Sequence, residues 1–144
     1  MDRTYDLERF TRAQEQMYET ALREIRAGRK WSHWIWFIFP QMRGLGFSGN
    51  SVYYGIENLD EARQYLEHPV LRAHLEEICA ALLALDTRDA LAVMGHPDEM
   101  KLRSSMTLFS RASGPDSVYA RVLREFYDGK EDAATLRLLG KLDD

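Results

Sequence analysis

Lys30–Ile56, KWSHWIWFIFPQMRGLGFSGNSVYYGI, carries all three tryptophans and three of the six phenylalanines of the chain. Trp34–Phe39 is an unbroken apolar run; Pro40 ends it, and a segment of Gly, Ser and Asn follows. How that run folds decides the architecture. Its aromatic and β-branched content favours a strand. Ser32 in a capping position, with Trp31, Trp34, Ile35 and Ile38 at helical spacing, favours a short buried helix. Pro40 disfavours helical geometry at Phe39, so either element ends there. Because the flanking segments all read as helices, a short helix is expected.

Upstream, Leu7, Phe10, Met17, Tyr18, Ala21, Leu22 and Ile25 recur at helical steps and predict an amphipathic helix over 6–27. Asp6 is a suitable cap for its unpaired first-turn N–H groups, and Gly28 a suitable stop. Gln14 lies on the apolar side, where a buried amide needs hydrogen-bond partners. Downstream, Asn58 and Glu61 form a capping pair for a helix to about Glu67. Pro69 opens the next helix, whose stripe of Leu71, Leu75, Ile78 and Leu82 runs to Leu85. A short helix from Asp86 or Thr87 stops at Gly95. Another starts at His96–Asp98 and runs to Phe109, and Ser110–Asp116 reads as a turn-rich connection. Asp116 and Asp132 cap the last two helices, which end near Phe126 and Leu139. The expectation is a single mainly α domain over residues 1–144, with six to eight helices around a buried aromatic segment.

A chain of 144 residues with 45% hydrophobic content can build one core without a disulfide or metal. Its formal charge of −4, with the charges interleaved, argues against broad nucleic-acid or anionic-membrane binding, which rests on concentrated Lys and Arg. The lone Cys79, among Ile78, Ala80 and Ala81, reads as a buried inert thiol. The first residues are polar, and no apolar run approaches the ~20 residues that span a bilayer. A cytoplasmic protein is expected.

Gly44, Gly46 and Gly49 spell G-x-G-x-x-G. That fingerprint needs a strand before it and a helix after it. SVYYGIEN, with Val52 and Gly55, is a poor helix opening, so dinucleotide binding by that route is set aside. A looser role remains. Backbone N–H groups of the Gly44–Ser51 loop can form a concave anion site, with donors from Ser48, Asn50 and Ser51 and charge from Arg43. A second constellation is Asp98, Lys101, Arg103, Ser104, Ser105 and Thr107, whose plainer reading is a solvated or interhelical hydrogen-bonded face. On a helix Lys101 lies one turn from both serines, and Asp98 keeps its amine charged. That suits anion binding better than a Ser–Lys nucleophile pair. His33, His68, His74 and His96 show no metal-ligand spacing, and neither a metal nor a cofactor is implied. His68 and His96 precede prolines and read as helix-start residues. His33, beside the aromatic cluster, is the first candidate for acid–base chemistry; the plainer reading is a buried, hydrogen-bonded imidazole. Most of the aromatic run is core, with one of Trp31, Trp34 or Trp36 bordering a pocket.

HWIWFIFPQMRGLGFS, then YLEHPVL, MKLRSSMTLF and FYDGKEDAATLRLL, resembles the bacterial family called domain of unknown function 1810. The likeness runs from Phe10 through Leu139. It implies a small, mainly α-helical fold and carries no activity, cofactor or catalytic residue with it. Members are sometimes labelled calpastatin-like; that inhibitor is long and disordered, whereas this chain is patterned for a core.

Two functions follow as expectations. The first is a pocket for an anionic, nucleotide-like small molecule. Its binding residues would be Gln41, Arg43, Gly44, Gly46, Ser48, Ser51, Lys101, Ser104 and Ser105, with His33 as acid–base candidate. It requires the 98–109 helix to meet the central segment. The alternative is a protein-interaction module without catalytic activity, using the aromatic stretch or an exposed helix face. Whether the chain is an enzyme stays open.

Overall fold

In the computed structural model the described residues, 4–143 with side chains to 140, form nine α-helices and no strand. They are α1 (Glu8–Arg26), α2 (Ile35–Ile38), α3 (Gly49–Tyr53), α4 (Leu59–Glu67), α5 (Pro69–Leu83), α6 (Ala90–Met94), α7 (Asp98–Ser113), α8 (Val118–Tyr127) and α9 (Ala133–Asp143). The mainly α architecture read from the sequence holds, and the ninth helix is α3. Ser48 makes it possible: its extended backbone and its hydroxyl, which accepts from the Ser51 N–H at 3.1 Å, cap a turn that Val52 and Gly55 alone would not support. The central run is helical as expected, and α2 is a single turn that stops before Pro40.

Several boundaries differ from the sequence reading. Asp6 does not cap α1: Leu7 holds that position in helical geometry, and the Asp6 carbonyl accepts instead from the Arg9 guanidinium. Ser32 does not cap α2, because its hydroxyl is spent on Glu24. Asp89, rather than Asp86 or Thr87, caps α6 through the Ala92 N–H (3.1 Å). The connection expected from Ser110 is helical to Ser113, whose hydroxyl donates to Phe109 O (2.7 Å). Ser117, one residue past Asp116, caps α8. Asn58 and Asp132 cap α4 and the start of α9 as expected, accepting from Glu61 N–H (2.9 Å) and Thr135 N–H (3.0 Å).

α7 is the helix about which the others are arranged, in contact with α2, α4, α6, α8 and α9, while α1 crosses α2 and α5. Leu102, Met106, Leu108 and Phe109 bury against these neighbours, and so do Ser104, Ser105 and Thr107. A line of aromatic rings crosses the core: Phe10 to Tyr65 (5.1 Å between centroids), Tyr65 to Phe109 (5.1 Å) and Phe109 to Tyr119 (5.8 Å). Each fully buried ring contributes about 1.5–3 kcal/mol. Cys79 lies in this core, where burial pushes its thiol pKa up. No described helix is long and apolar enough to cross a membrane.

Candidate functional site

Glu24, on α1, sets the entry to the central segment. It is 9% exposed. Its Oε1 accepts from the N–H groups of Trp31 (2.7 Å) and Ser32 (2.9 Å) and from Trp34 Nε1 (3.0 Å), while Oε2 accepts from the Ser32 hydroxyl (2.6 Å). Burial pushes its carboxyl pKa up, but bonds from Ser32, Trp31 and Trp34 outweigh this and hold it down at about 2. The adjoining Lys30 Nζ lies 2.7 Å from Asp98 Oδ2 and 4.9 Å from the centre of the Trp34 ring. Lys101, one turn along α7, lies 3.4 Å from Asp98 Oδ1 and 5.1 Å from the centre of the Trp36 ring. The 98–109 helix therefore meets the central segment through α2.

Beyond Pro40 the chain makes an excursion that closes on itself. Met42 and Ile56 form a parallel bridge, with Arg43 N–H donating to Ile56 O and Ile56 N–H to Gln41 O, both at 2.8 Å. The approach is so close that a Cβ on Gly55 would sit 2.7 Å from Arg43 Cα. From α1, buried Arg9 reinforces the closure. Its Nε donates to Tyr53 O (2.9 Å) and Nη2 to Gly55 O (3.0 Å). Nη2 is also 2.8 Å from Glu61 Oε2, near enough for an ion pair though not aligned for a hydrogen bond.

Within the excursion lies a slot of about 10 Å³ whose walls include Trp36, Gln41, Gly46, Asn50, Ser51 and Tyr54. A water needs roughly 10–15 Å³, so the slot admits one small group. The indole N–H of Trp36 is buried and has no acceptor. Of the three tryptophans, Trp36 is thus the one bordering a cavity; Trp34 is core, and Trp31 is exposed with the Arg29 guanidinium 4.1 Å from its ring centre.

The predicted site residues divide. Gln41, Gly46 and Ser51 meet at the slot, whereas Lys101 is not part of its lining and lies over the Trp36 ring, 5.1 Å from its centre. Gly44, at φ +105°, faces Leu138 of α9. Ser48 is occupied as the α3 cap. Arg43 points into a separate surface depression beside Arg9 and Tyr53, loosely paired with Glu57 at 3.9 Å. Ser104 donates to Met100 O (3.0 Å), whereas the buried Ser105 hydroxyl has no partner. His33 is exposed and makes no hydrogen bond among the described residues, so the buried-imidazole reading does not hold.

Sequence reasoning missed Glu24 and Arg9. Their signal was a charge at the edge of the α1 stripe; Glu24 falls three residues after Ala21 and seven after Met17. It placed Gln14 in the core correctly without its partners. Gln14 Nε2 donates to Phe37 O (2.8 Å) and to the Tyr65 hydroxyl (3.0 Å), which leaves Oε1 to accept from His74 Nδ1 (2.7 Å). Tyr18 stacks on the His74 ring at 3.7 Å, and burial pushes that imidazole's pKa down, toward the neutral form. Among the described residues no group of three or more His, Cys, Asp or Glu side chains comes together to hold a metal.

No curated protein matches the chain. The conserved hypothetical protein Rv1873 from Mycobacterium tuberculosis, known from its crystal structure, is similar over 94% of this chain and 97% of its own, with 44% identity and a TM-score of 0.92. The family described as protein of unknown function, DUF1810, matches residues 4–139, and the chain belongs to that family.

Proposed function

We propose that the chain is a cytoplasmic binding protein for a small anionic ligand that seats one acceptor atom in the slot beside Trp36. The observation that carries this reading is the Trp36 N–H, buried without an acceptor in a slot shared with Gln41, Asn50 and Ser51. A buried donor left unpaired costs about 1–3 kcal/mol, which a carboxylate or phosphate oxygen relieves. Lys101, 5.1 Å from the centre of the same ring, supplies positive charge. Because the slot takes a single group, the body of the ligand lies outward over the loop. There Phe47, 91% exposed, offers a face to a flat ring such as a nucleobase. No catalytic role is assigned: His33 has no orienting partner among the described residues.

A thermal-shift panel of inorganic phosphate, simple carboxylates, nucleotides and dinucleotides tests this. A ligand at 100 times its Kd stabilises by about 2.7 kcal/mol, several degrees for a domain of this size. Trp36→Phe keeps a ring and removes the N–H; it melts near the wild type and loses the shift. The reading fails if no anion raises the melting temperature or if Trp36→Phe responds like the wild type.

A protein-interaction reading is favoured by a different observation: Phe47, Val52 and Tyr53 are all exposed on one short stretch. Phe47 and Val52 hold the positions that normally pack together as a staple at a helix start. Under this reading Phe47→Ser abolishes association with a partner, and the anion panel leaves the melt unchanged.

A further inference from the structure

A groove of about 610 Å³ lies where α4, the first turns of α5, the end of α7 and the start of α8 meet, away from the Trp36 slot. Its apolar lining comes from Leu66, Ala112 and Val118. Tyr119 lines it too, although the residue is only 4% exposed. Its hydroxyl makes no hydrogen bond among the described residues, yet it is not one of the fully buried orphan atoms, so its outlet is the groove. Arg72 and Glu76 line the same groove. Burial pushes the Tyr119 pKa up, so the phenol stays a donor in want of an acceptor.

More donors stand beside it. Ser117 caps α8 by accepting from the Ala120 N–H alone (3.2 Å), and the N–H groups of Val118 and Tyr119 have no acceptor among the described residues. A helix start with free N–H groups favours an anion. On the α4 wall, Arg63 is exposed and makes no ion pair among the described residues. Arg72 is already matched by Glu76 at 2.6 Å. The remaining acids, Glu67 and Asp116, set a limit on the guest, because they repel a ligand of high negative charge.

We propose that this groove binds an organic monocarboxylate, its carboxylate at the α8 start between Tyr119 and Arg63 and its apolar body over Leu66, Ala112 and Val118. The site is independent of the Trp36 slot.

Amide NMR titration of the full chain with hexanoate and benzoate, against hexanol and benzyl alcohol as uncharged controls, tests the proposal. The carboxylates shift the Val118 and Tyr119 amides and saturate, the alcohols do not, and citrate binds more weakly than hexanoate. Tyr119→Phe removes a hydroxyl that no protein group uses, so the fold persists while carboxylate affinity falls about tenfold. Arg63→Ala, on the surface, lowers it several-fold, and Trp36→Phe leaves it unchanged. The proposal is overturned if alcohols and carboxylates act alike, if the perturbed amides lie elsewhere, or if Tyr119→Phe binds as the wild type does.

Discussion

Replacing Glu24 by Gln removes the charge from a carboxylate that accepts from two backbone N–H groups, an indole and a hydroxyl. The Gln carbonyl can still accept the N–H bonds, but as a neutral and weaker acceptor, and its amide must face Ser32. The bonds from Ser32, Trp31 and Trp34 hold the Glu24 carboxyl at about 2, below the ordinary 4.5, and that lowering sets the scale of what the charge is worth. At 1.36 kcal/mol per tenfold change this comes to about 3 kcal/mol. The sign follows from the direction. The folded pKa lies below the unfolded one, so the stabilisation is present in full above about pH 4.5 and is lost as the pH falls to about 2. Urea unfolding of wild type and Glu24→Gln, followed by tryptophan fluorescence in steps from pH 7 to pH 2.5, reads this directly. The stability gap should be about 3 kcal/mol from pH 7 to 5 and should close steadily below. Other carboxylates titrate in both proteins and cancel in the difference. A gap that stays constant with pH, or one under about 1 kcal/mol at pH 7, refutes the argument.

Three further outcomes follow from the same contacts. Gln14→Leu strands Phe37 O, the Tyr65 hydroxyl and His74 Nδ1, and at about 1–3 kcal/mol per buried orphan it should lower the melting temperature by ten degrees or more. Gly55→Ala drives a Cβ to 2.7 Å from Arg43 Cα and should cost about 1–3 kcal/mol, with faster proteolysis within 42–56. Gly49→Ala, where an added Cβ meets nothing within 4 Å, is its control and should be near neutral. Cys79, buried and with its thiol pushed up, should react with a disulfide reagent only as fast as the chain unfolds. Rapid stoichiometric labelling in native buffer would contradict its placement.

The long helices were legible because periodicity over several turns reports a buried face. α1 and α5 show it plainly. α3 was not, because five residues make barely more than one turn, and what holds it comes from elsewhere: Ser48 at its start and Arg9, on α1, at its end. α7 was legible only in part, for another reason. Ser104 and Thr107 read as a solvated or interhelical hydrogen-bonded face; both are buried, each hydroxyl donates to the carbonyl four residues back, at 3.0 and 2.8 Å, and Thr107 also accepts from the Asp132 N–H at 2.9 Å. A serine satisfied in this way presents little more than methylene to its surroundings and can be buried. His33 misled because adjacency to Trp34 says nothing of orientation at a one-turn helix: Trp34 turns inward to Glu24 and His33 outward.

The buried polar residues of α1 explain why the central segment has one geometry. Near one end of the helix Glu24 fixes the backbone of Trp31 and Ser32; in the middle Gln14 holds Phe37 O; near the other end Arg9 holds the carbonyls of Tyr53 and Gly55. One rigid helix thus pins the segment at its entry, its middle and its exit. What is left between the last two pins is the stretch carrying Gly44, Gly46, Phe47 and Gly49, most of it exposed. Any rearrangement that opens the Trp36 slot to a ligand must therefore be confined to that stretch, since moving the pins breaks buried hydrogen bonds worth about 0.5–1.5 kcal/mol at neutral Gln14 and about 1.5–3 kcal/mol each at charged Arg9. A ligand that closes Phe47 over the slot would have to work against only the conformational freedom of a glycine-rich loop.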